Sequence, residues 1–205
     1  MSLIEQIKND VKGVFGEVKI DLILGRFTNN SCFTVRDLLL VRDGKSTQVD
    51  NILFTTKKVY VIESKNYSGW IFGSETGKSW TQTFNFFGKV TKSSFYNPLT
   101  QNFGHIKYLS TFLDIPLINF HNIIVFSNDS ELKNITTEKP YNHVINLKHL
   151  VKLVQSIEIQ SSEAFDWEDL ERLENAIKAI NNSGIVEGYK HKKRVKEYQN
   201  KYGKK

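Results

Sequence analysis

The chain has 205 residues, 40% of them hydrophobic, which is enough for one sizeable core and requires no second folding unit. Its single cysteine, Cys32, excludes internal disulfides and a cysteine-rich zinc site, and no stretch is long and apolar enough to span a bilayer. The first residues lack the charged and apolar regions of a signal peptide, so we expect a cytoplasmic protein with no membrane partner.

The net charge of +6 is concentrated at the C-terminal end of the chain. Residues 189–205 hold eight Lys and Arg against one Glu, a net charge of +7, which leaves the preceding residues close to neutral. A basic block of this kind is typical first of a solvated tail and second of a segment that binds phosphate backbones. We therefore divide the chain into a folded domain, 1–186, and a basic tail, 187–205. The tail residues that we expect to contact nucleic acid are Lys190, Lys192, Lys193, Arg194 and Lys196.

Apolar residues at three- and four-residue steps predict a helix over residues 2–25. Glu17 lies beside this apolar stripe, and the pattern alone makes it an ordinary surface glutamate. A first strand is predicted over residues 33–42, and Asp43-Gly44-Lys45 supplies the turn that ends it.

The next two strands form the most informative segment of the sequence. Residues 48–54 and 59–65 predict a hairpin with a tight connection between them, and a symmetric hairpin places Asp50 opposite Glu63. Lys65 follows Glu63 by two residues and therefore points to the same face. Two carboxylates so placed require a cation or a shared proton, so these residues are a candidate cradle for Mg²⁺. An edge-strand salt bridge explains the same residues equally well.

Residues 69–73 and 79–87 predict a second hairpin that is rich in aromatic side chains. Such a cluster is more often core or sheet surface than a platform on which nucleic-acid bases stack. Gly73 and Gly77 suggest a phosphate-binding loop, but three residues separate them where the motif requires four, and no apolar-striped helix follows. We therefore predict that NTP is not a ligand.

Asn97 and Pro98 predict the start of a helix, with an Asn cap and Pro in the first position. Gln101 lies in its first turn, away from the apolar stripe and on the same face as His105 and Tyr108. The stripe that should face the core consists of Leu99, Phe103, Ile106, Leu109 and Leu113.

The second half of the chain predicts two strands, 121–127 and 142–147, and two helices, near 148–158 and 167–182. The five histidines are not spaced along the sequence as the ligands of one zinc ion usually are, which argues against a zinc site. The expected buried face of the last helix consists of Trp167, Leu170, Leu173, Ile177 and Ile180.

Taken in order, several of these segments resemble the nuclease-related domain, a branch of the PD-(D/E)XK nuclease superfamily. The resemblance covers residues 13 to about 113, and a proline that usually precedes the aspartate is replaced by Val49. The segments that carry it are Gly16-Glu17, Gln48-Val49-Asp50, Val61 to Gly69, Trp80 and Asn97-Pro98-Leu99-Thr100-Gln101.

This resemblance implies a restriction-endonuclease-like α/β fold, with a mixed central β-sheet flanked by helices. The implied order is one helix, three antiparallel strands, an inserted hairpin, a helix, two strands and two helices. The implied activity is metal-dependent hydrolysis of phosphodiester bonds in nucleic acid, with DNA expected over RNA. The sequence predicts no oligomeric state.

The resemblance also implies a role for each site residue. Asp50, Glu63 and the carbonyl of Ser64 would hold Mg²⁺ or Mn²⁺, and Lys65 would position the nucleophilic water or stabilise the transition state. Glu17 and Gln101 would complete the catalytic site. The alternative from another class is a non-catalytic module that binds nucleic acid or recruits a partner on a nuclease scaffold. A structural cluster of salt bridges is a third hypothesis, and it predicts no metal affinity.

Overall fold

The computed structural model describes residues 20, 23–24, 32–42, 45–86 and 89–180. Glu17, most of the expected N-terminal helix and the basic tail at 187–205 lie outside the described residues. The elements are β1 (Cys32–Arg42), β2 (Lys45–Thr55), β3 (Val59–Lys65), β4 (Gly69–Ser74), β5 (Ser79–Phe86), β6 (Lys89–Tyr96), α1 (Pro98–Leu113), β7 (Phe120–Phe126), β8 (Ser130–Thr136), β9 (Asn142–Asn146), α2 (Leu150–Gln160) and α3 (residues 167–180).

Five strands form a mixed central sheet, sheet A, in the order β1-β2-β3-β7-β9. The first three strands are antiparallel neighbours, whereas β3, β7 and β9 run parallel. Apolar residues of α1 and α3 pack on one face of the sheet. Residues of α2 pack on the other face, together with the helical residues Ile20 and Leu24. The predicted mixed sheet between helices is confirmed.

The β2–β3 hairpin has the predicted register. Asn51 pairs with Ile62 and Phe54 with Val59, and the Thr55 N–H donates to the Lys58 carbonyl at 3.0 Å to close the turn. The first five residues of β3 are buried, as expected for an apolar, β-branched run that is covered on both faces. Asp50 and Glu63 are the next residues beyond the last pair of this ladder, at the end of β3 where polar side chains begin.

A second sheet, sheet B, has the order β6-β5-β4-β8 and lies beyond the carboxyl ends of β3 and β7. The parallel pair β3/β7 continues into the parallel pair β4/β8, through short links at residues 66–68 and 127–129. Backbone hydrogen bonds from Ser127 to the Lys65 carbonyl and from Gly69 to the Asp129 carbonyl hold the two links together.

The predicted second hairpin is present as the antiparallel pair β4 and β5, but the sequence does not predict the strands β6 and β8 that flank it. Both are polar and lie at the two edges of sheet B, and neither shows the apolar alternation that marks a half-buried strand. The aromatic residues of sheet B divide as expected between core and surface: Trp80 is buried against Phe126, whereas Trp70 and Phe84 are partly exposed.

Helix α1 begins as predicted, with the Asn97 side chain accepting hydrogen bonds from the Leu99 and Thr100 N–H groups. Its apolar stripe faces sheet A. In α3 the prediction for Trp167 is wrong: this side chain is at the first residue of the helix and is 56% exposed, whereas Leu170 and Ile177 further along the helix are buried in the core. None of the helices in the described residues combines the length and apolar character needed to cross a membrane.

Candidate active site

The site is centred on Glu63, the first charged residue after the buried run of β3. Glu63 is only 4% exposed, and its Oε1 atom accepts two hydrogen bonds, from Lys65 Nζ at 2.6 Å and from Gln101 Nε2 at 2.9 Å. Lys65 Nζ also lies 3.3 Å from Gln101 Oε1. Two elements, β3 and α1, thus meet through three side chains, which links a carboxylate, an ammonium and an amide in one network.

Gln101 is brought to the site by the start of α1. The Asn97 cap fixes the first turn of the helix, and Gln101 lies in that turn, on the side that faces the end of β3. Periodicity places this residue away from the apolar stripe, and the structure shows that the polar face so defined meets Glu63. The predicted association of Gln101 with the Glu63–Lys65 pair is therefore seen in the geometry.

Asp50 is the second carboxylate of the site and comes from the end of the β2–β3 ladder. Its Oδ2 atom accepts a hydrogen bond from the Ser64 N–H at 3.1 Å. Burial, and secondly the negative charge of Glu63, raise the pKa of Asp50 to about 6, against the opposing influence of the Ser64 hydrogen bond, Lys65 and His105. The hydrogen bonds of the site and the charge of Lys65 therefore offset only part of its buried negative charge.

The backbone of β1 is irregular beside Asp50. Arg36 pairs with Asn51 and Leu38 with Val49, so Asp37 lies across the ladder from Asp50, yet these two residues form no ladder pair. Asp37 has a φ of 51°, in the left-handed region that aspartate tolerates better than most residues. The regular pairing of β1 with β2 is interrupted at the position where β2 presents the Asp50 carboxylate.

Sequence reasoning missed His105 and Thr47. His105 Nδ1 lies 2.6 Å from Thr47 Oγ1, and His105 Nε2 lies 3.9 Å from Glu63 Oε2. Burial lowers the pKa of His105, which keeps the ring neutral at pH 7. A signal was available in the sequence, because His105 follows Gln101 by four residues and shares its helix face.

Of the other predicted site residues, the structure describes only Ser64. The Ser64 carbonyl, a predicted ligand, belongs to a residue whose N–H contacts Asp50, so its backbone is at the site. Glu17 and the five basic residues of the tail lie outside the described part of the chain, and their roles stay predictions.

Two further histidines that are distant in sequence lie together on the opposite face of sheet A. His121 Nδ1 and His143 Nε2 are 2.9 Å apart, and the His121 ring stacks on Tyr60. Sequence spacing could not reveal this pair, because the parallel strands β7 and β9 bring it together. Burial, and secondly the charge of His143, lower the pKa of His121 to about 4. The pair is separated from Glu63 by the sheet.

A mixed sheet covered by helices on both faces is consistent with a restriction-endonuclease-like fold. A model of the nuclease-related domain family matches residues 12–127, more than half of the chain. The chain is also 30% identical, over 197 residues, to an uncharacterised protein of Bacillus anthracis, and the match covers 94% of this chain and 86% of that protein. No solved structure matches significantly. The chain belongs to the nuclease-related domain family.

Proposed function

We propose that the protein is a metal-dependent nuclease that hydrolyses phosphodiester bonds of nucleic acid, with DNA as the expected substrate. The observation that carries the proposal is the convergence of Asp50, Glu63, Lys65 and Gln101 at one end of sheet A, together with the unbalanced charge of the two carboxylates. A salt-bridge cluster of purely structural value would balance its charges.

The donors in the site fit a hard divalent cation, Mg²⁺ or Mn²⁺. In the part of the chain that the structure describes, no three His, Cys, Asp or Glu side chains lie close enough together to hold a metal ion. Mg²⁺ needs no such cluster, because it is commonly held by one or two carboxylates, with water and substrate phosphate as the remaining ligands. Asp50, Glu63 and the Ser64 carbonyl would supply the protein oxygens.

The hydrogen bonds indicate which oxygen of Glu63 is open to a cation. Oε1 already accepts from both Lys65 and Gln101, which uses its two lone-pair directions. Oε2 is therefore the oxygen left for a metal. When bound, the ion would lower the pKa of a water molecule and offset the charge that builds up on the phosphate.

Lys65 and Gln101 have complementary roles in this proposal. Lys65 brings a positive charge beside Glu63, where it can hold the attacking water or stabilise negative charge on the phosphate. Gln101 fixes Glu63 and Lys65 with its amide N–H and carbonyl oxygen respectively. Because both roles depend on a hydrogen-bonding head group at the end of a long side chain, truncation of either residue should reduce the rate of cleavage.

The test is incubation of the purified protein with labelled single- and double-stranded DNA and RNA, in Mg²⁺, Mn²⁺ or EDTA. Lys65→Ala and Glu63→Gln should abolish cleavage while leaving the fold intact. Lys107→Ala, which removes an exposed lysine of α1, is the matched control and should cleave normally. Cleavage in EDTA, or full cleavage by Glu63→Gln, would refute the proposal. Binding without cleavage would instead support the non-catalytic module.

A further inference from the structure

His105 and Thr47 form a partly buried polar pair to which the proposed mechanism assigns no role. His105 is 9% exposed, and its Nε2 atom is fully buried without a hydrogen-bond partner among the described residues. Buried polar atoms are nearly always hydrogen-bonded, so an unpartnered one at the edge of an active site points to a contact made during function.

The Thr47 hydroxyl determines how the imidazole ring can be used. A neutral imidazole has one N–H donor and one acceptor nitrogen. If the Thr47 hydroxyl donates to Nδ1, then Nε2 carries the proton, and Glu63 Oε2 is an acceptor 3.9 Å from it. The opposite tautomer would place the lone pair of Nε2 against a carboxylate oxygen, which is unfavourable. The electrostatics of the site therefore favour the tautomer with the proton on Nε2.

The distance of 3.9 Å between His105 Nε2 and Glu63 Oε2 is too long for a direct hydrogen bond. It is short enough to be bridged by one water molecule, or to be closed by a movement of about 1 Å to a normal hydrogen-bond length. Because Lys65 and Gln101 hold only Oε1, the Glu63 carboxylate can still rotate about the Cγ–Cδ bond. A donor at Oε2 would fix the plane of the carboxylate.

We infer that His105 is a positioning residue that acts through Glu63. Its Nε2–H holds Glu63 Oε2, directly or through one water, while Thr47 holds the ring. This inference rests on the proposed function, because Oε2 is the oxygen left for the cation. Groups that orient a metal-binding carboxylate typically change metal affinity by about 10- to 100-fold when they are removed. His105 should therefore set the affinity of the site for its divalent ion.

Two amide substitutions of His105 distinguish the roles of its two ring nitrogens. Gln at position 105 places its amide N–H near the location of Nε2, whereas Asn places its amide near the location of Nδ1 and leaves Glu63 without a donor. The readout is the binding of Mn²⁺, measured by electron paramagnetic resonance of the free ion. Urea unfolding of each variant shows whether the fold is intact.

We expect the wild type to bind Mn²⁺ and Glu63→Gln to lose that binding. His105→Asn should bind at least about 10-fold more weakly, Thr47→Val should also weaken binding, and His105→Gln should stay near the wild type. A His105→Asn variant that is folded and binds like the wild type would overturn the inference and leave the proposed function standing. Equal weakening in His105→Asn and His105→Gln would overturn the hydrogen-bonding role. A wild type without Mn²⁺ affinity would overturn both proposals.

Discussion

The substitution Asp50→Asn should stabilise the metal-free protein at neutral and alkaline pH. Burial and the charge of Glu63 raise the pKa of Asp50 from 3.8 to about 6, so the ionised carboxylate is held in the folded state at a free-energy cost. At about 1.4 kcal/mol for each tenfold change in the acid constant, this cost is about 3 kcal/mol at pH 8. Asn keeps an oxygen that can accept the Ser64 hydrogen bond but carries no charge.

The pH dependence of this effect follows from the direction of the pKa change. Because the folded state binds the proton of Asp50 more tightly than the unfolded chain, the unfolding free energy of the wild type falls as pH rises from about 4 to about 6. The gain from Asp50→Asn should accordingly be about 0.5 kcal/mol at pH 4 and about 3 kcal/mol at pH 8.

The assay is urea unfolding of both proteins at pH 4 and pH 8, with EDTA present throughout. Asp37→Asn is the matched control, because it removes the half-exposed carboxylate across the ladder and should change the unfolding free energy by less than about 0.5 kcal/mol. If Asp50→Asn is no more stable than the wild type at pH 8, the argument that Asp50 carries an unbalanced buried charge is refuted.

Three further predictions concern the packing, a buried polar contact and the tail. Gly73→Ala places a Cβ 2.1 Å from the Trp80 ring and should cost about 1–3 kcal/mol in urea unfolding; an unchanged midpoint would contradict this packing. Asn122→Ala removes one of the two acceptors of the Asn102 amide and the donor to both the Leu99 carbonyl and Asn142, and it should cost about 3 kcal/mol by the same measurement; a loss below about 1 kcal/mol would argue against these contacts. Deletion of 189–205 should weaken nucleic-acid binding and flatten its dependence on salt, whereas an unchanged salt slope would exclude the tail from the interface.

The parts of the fold that could be predicted are those in which local chemistry agrees with the tertiary environment. The β2–β3 hairpin follows from two apolar runs and a short connection, and it has the expected register up to the pair Asn51 and Ile62, one step before Asp50 and Glu63. The start of α1 follows from Asn97 and Pro98. In each case the signal lies within a few residues and does not depend on distant parts of the chain.

The parts that could not be predicted depend on contacts between distant segments. Strands β6 and β8 are polar and become strands because sheet B offers them partners. The approach of His105 to Glu63 depends on how α1 crosses β3, which periodicity does not specify beyond the helix face. Asp37 in the left-handed region is likewise a property of the paired strands rather than of a turn sequence.

The buried amides behind the site have a consequence for the orientation of α1. Asn102 donates to the Val61 carbonyl of β3 and to Asn122 of β7, and Asn122 donates to Asn142 of β9 and to the Leu99 carbonyl. A helix held to a sheet by apolar contacts alone can roll about its axis, and a roll by one residue is about 100°. Amide hydrogen bonds are directional, so they restrict α1 to one rotational setting. The sheet thereby determines the direction in which the neighbouring Gln101 and His105 point.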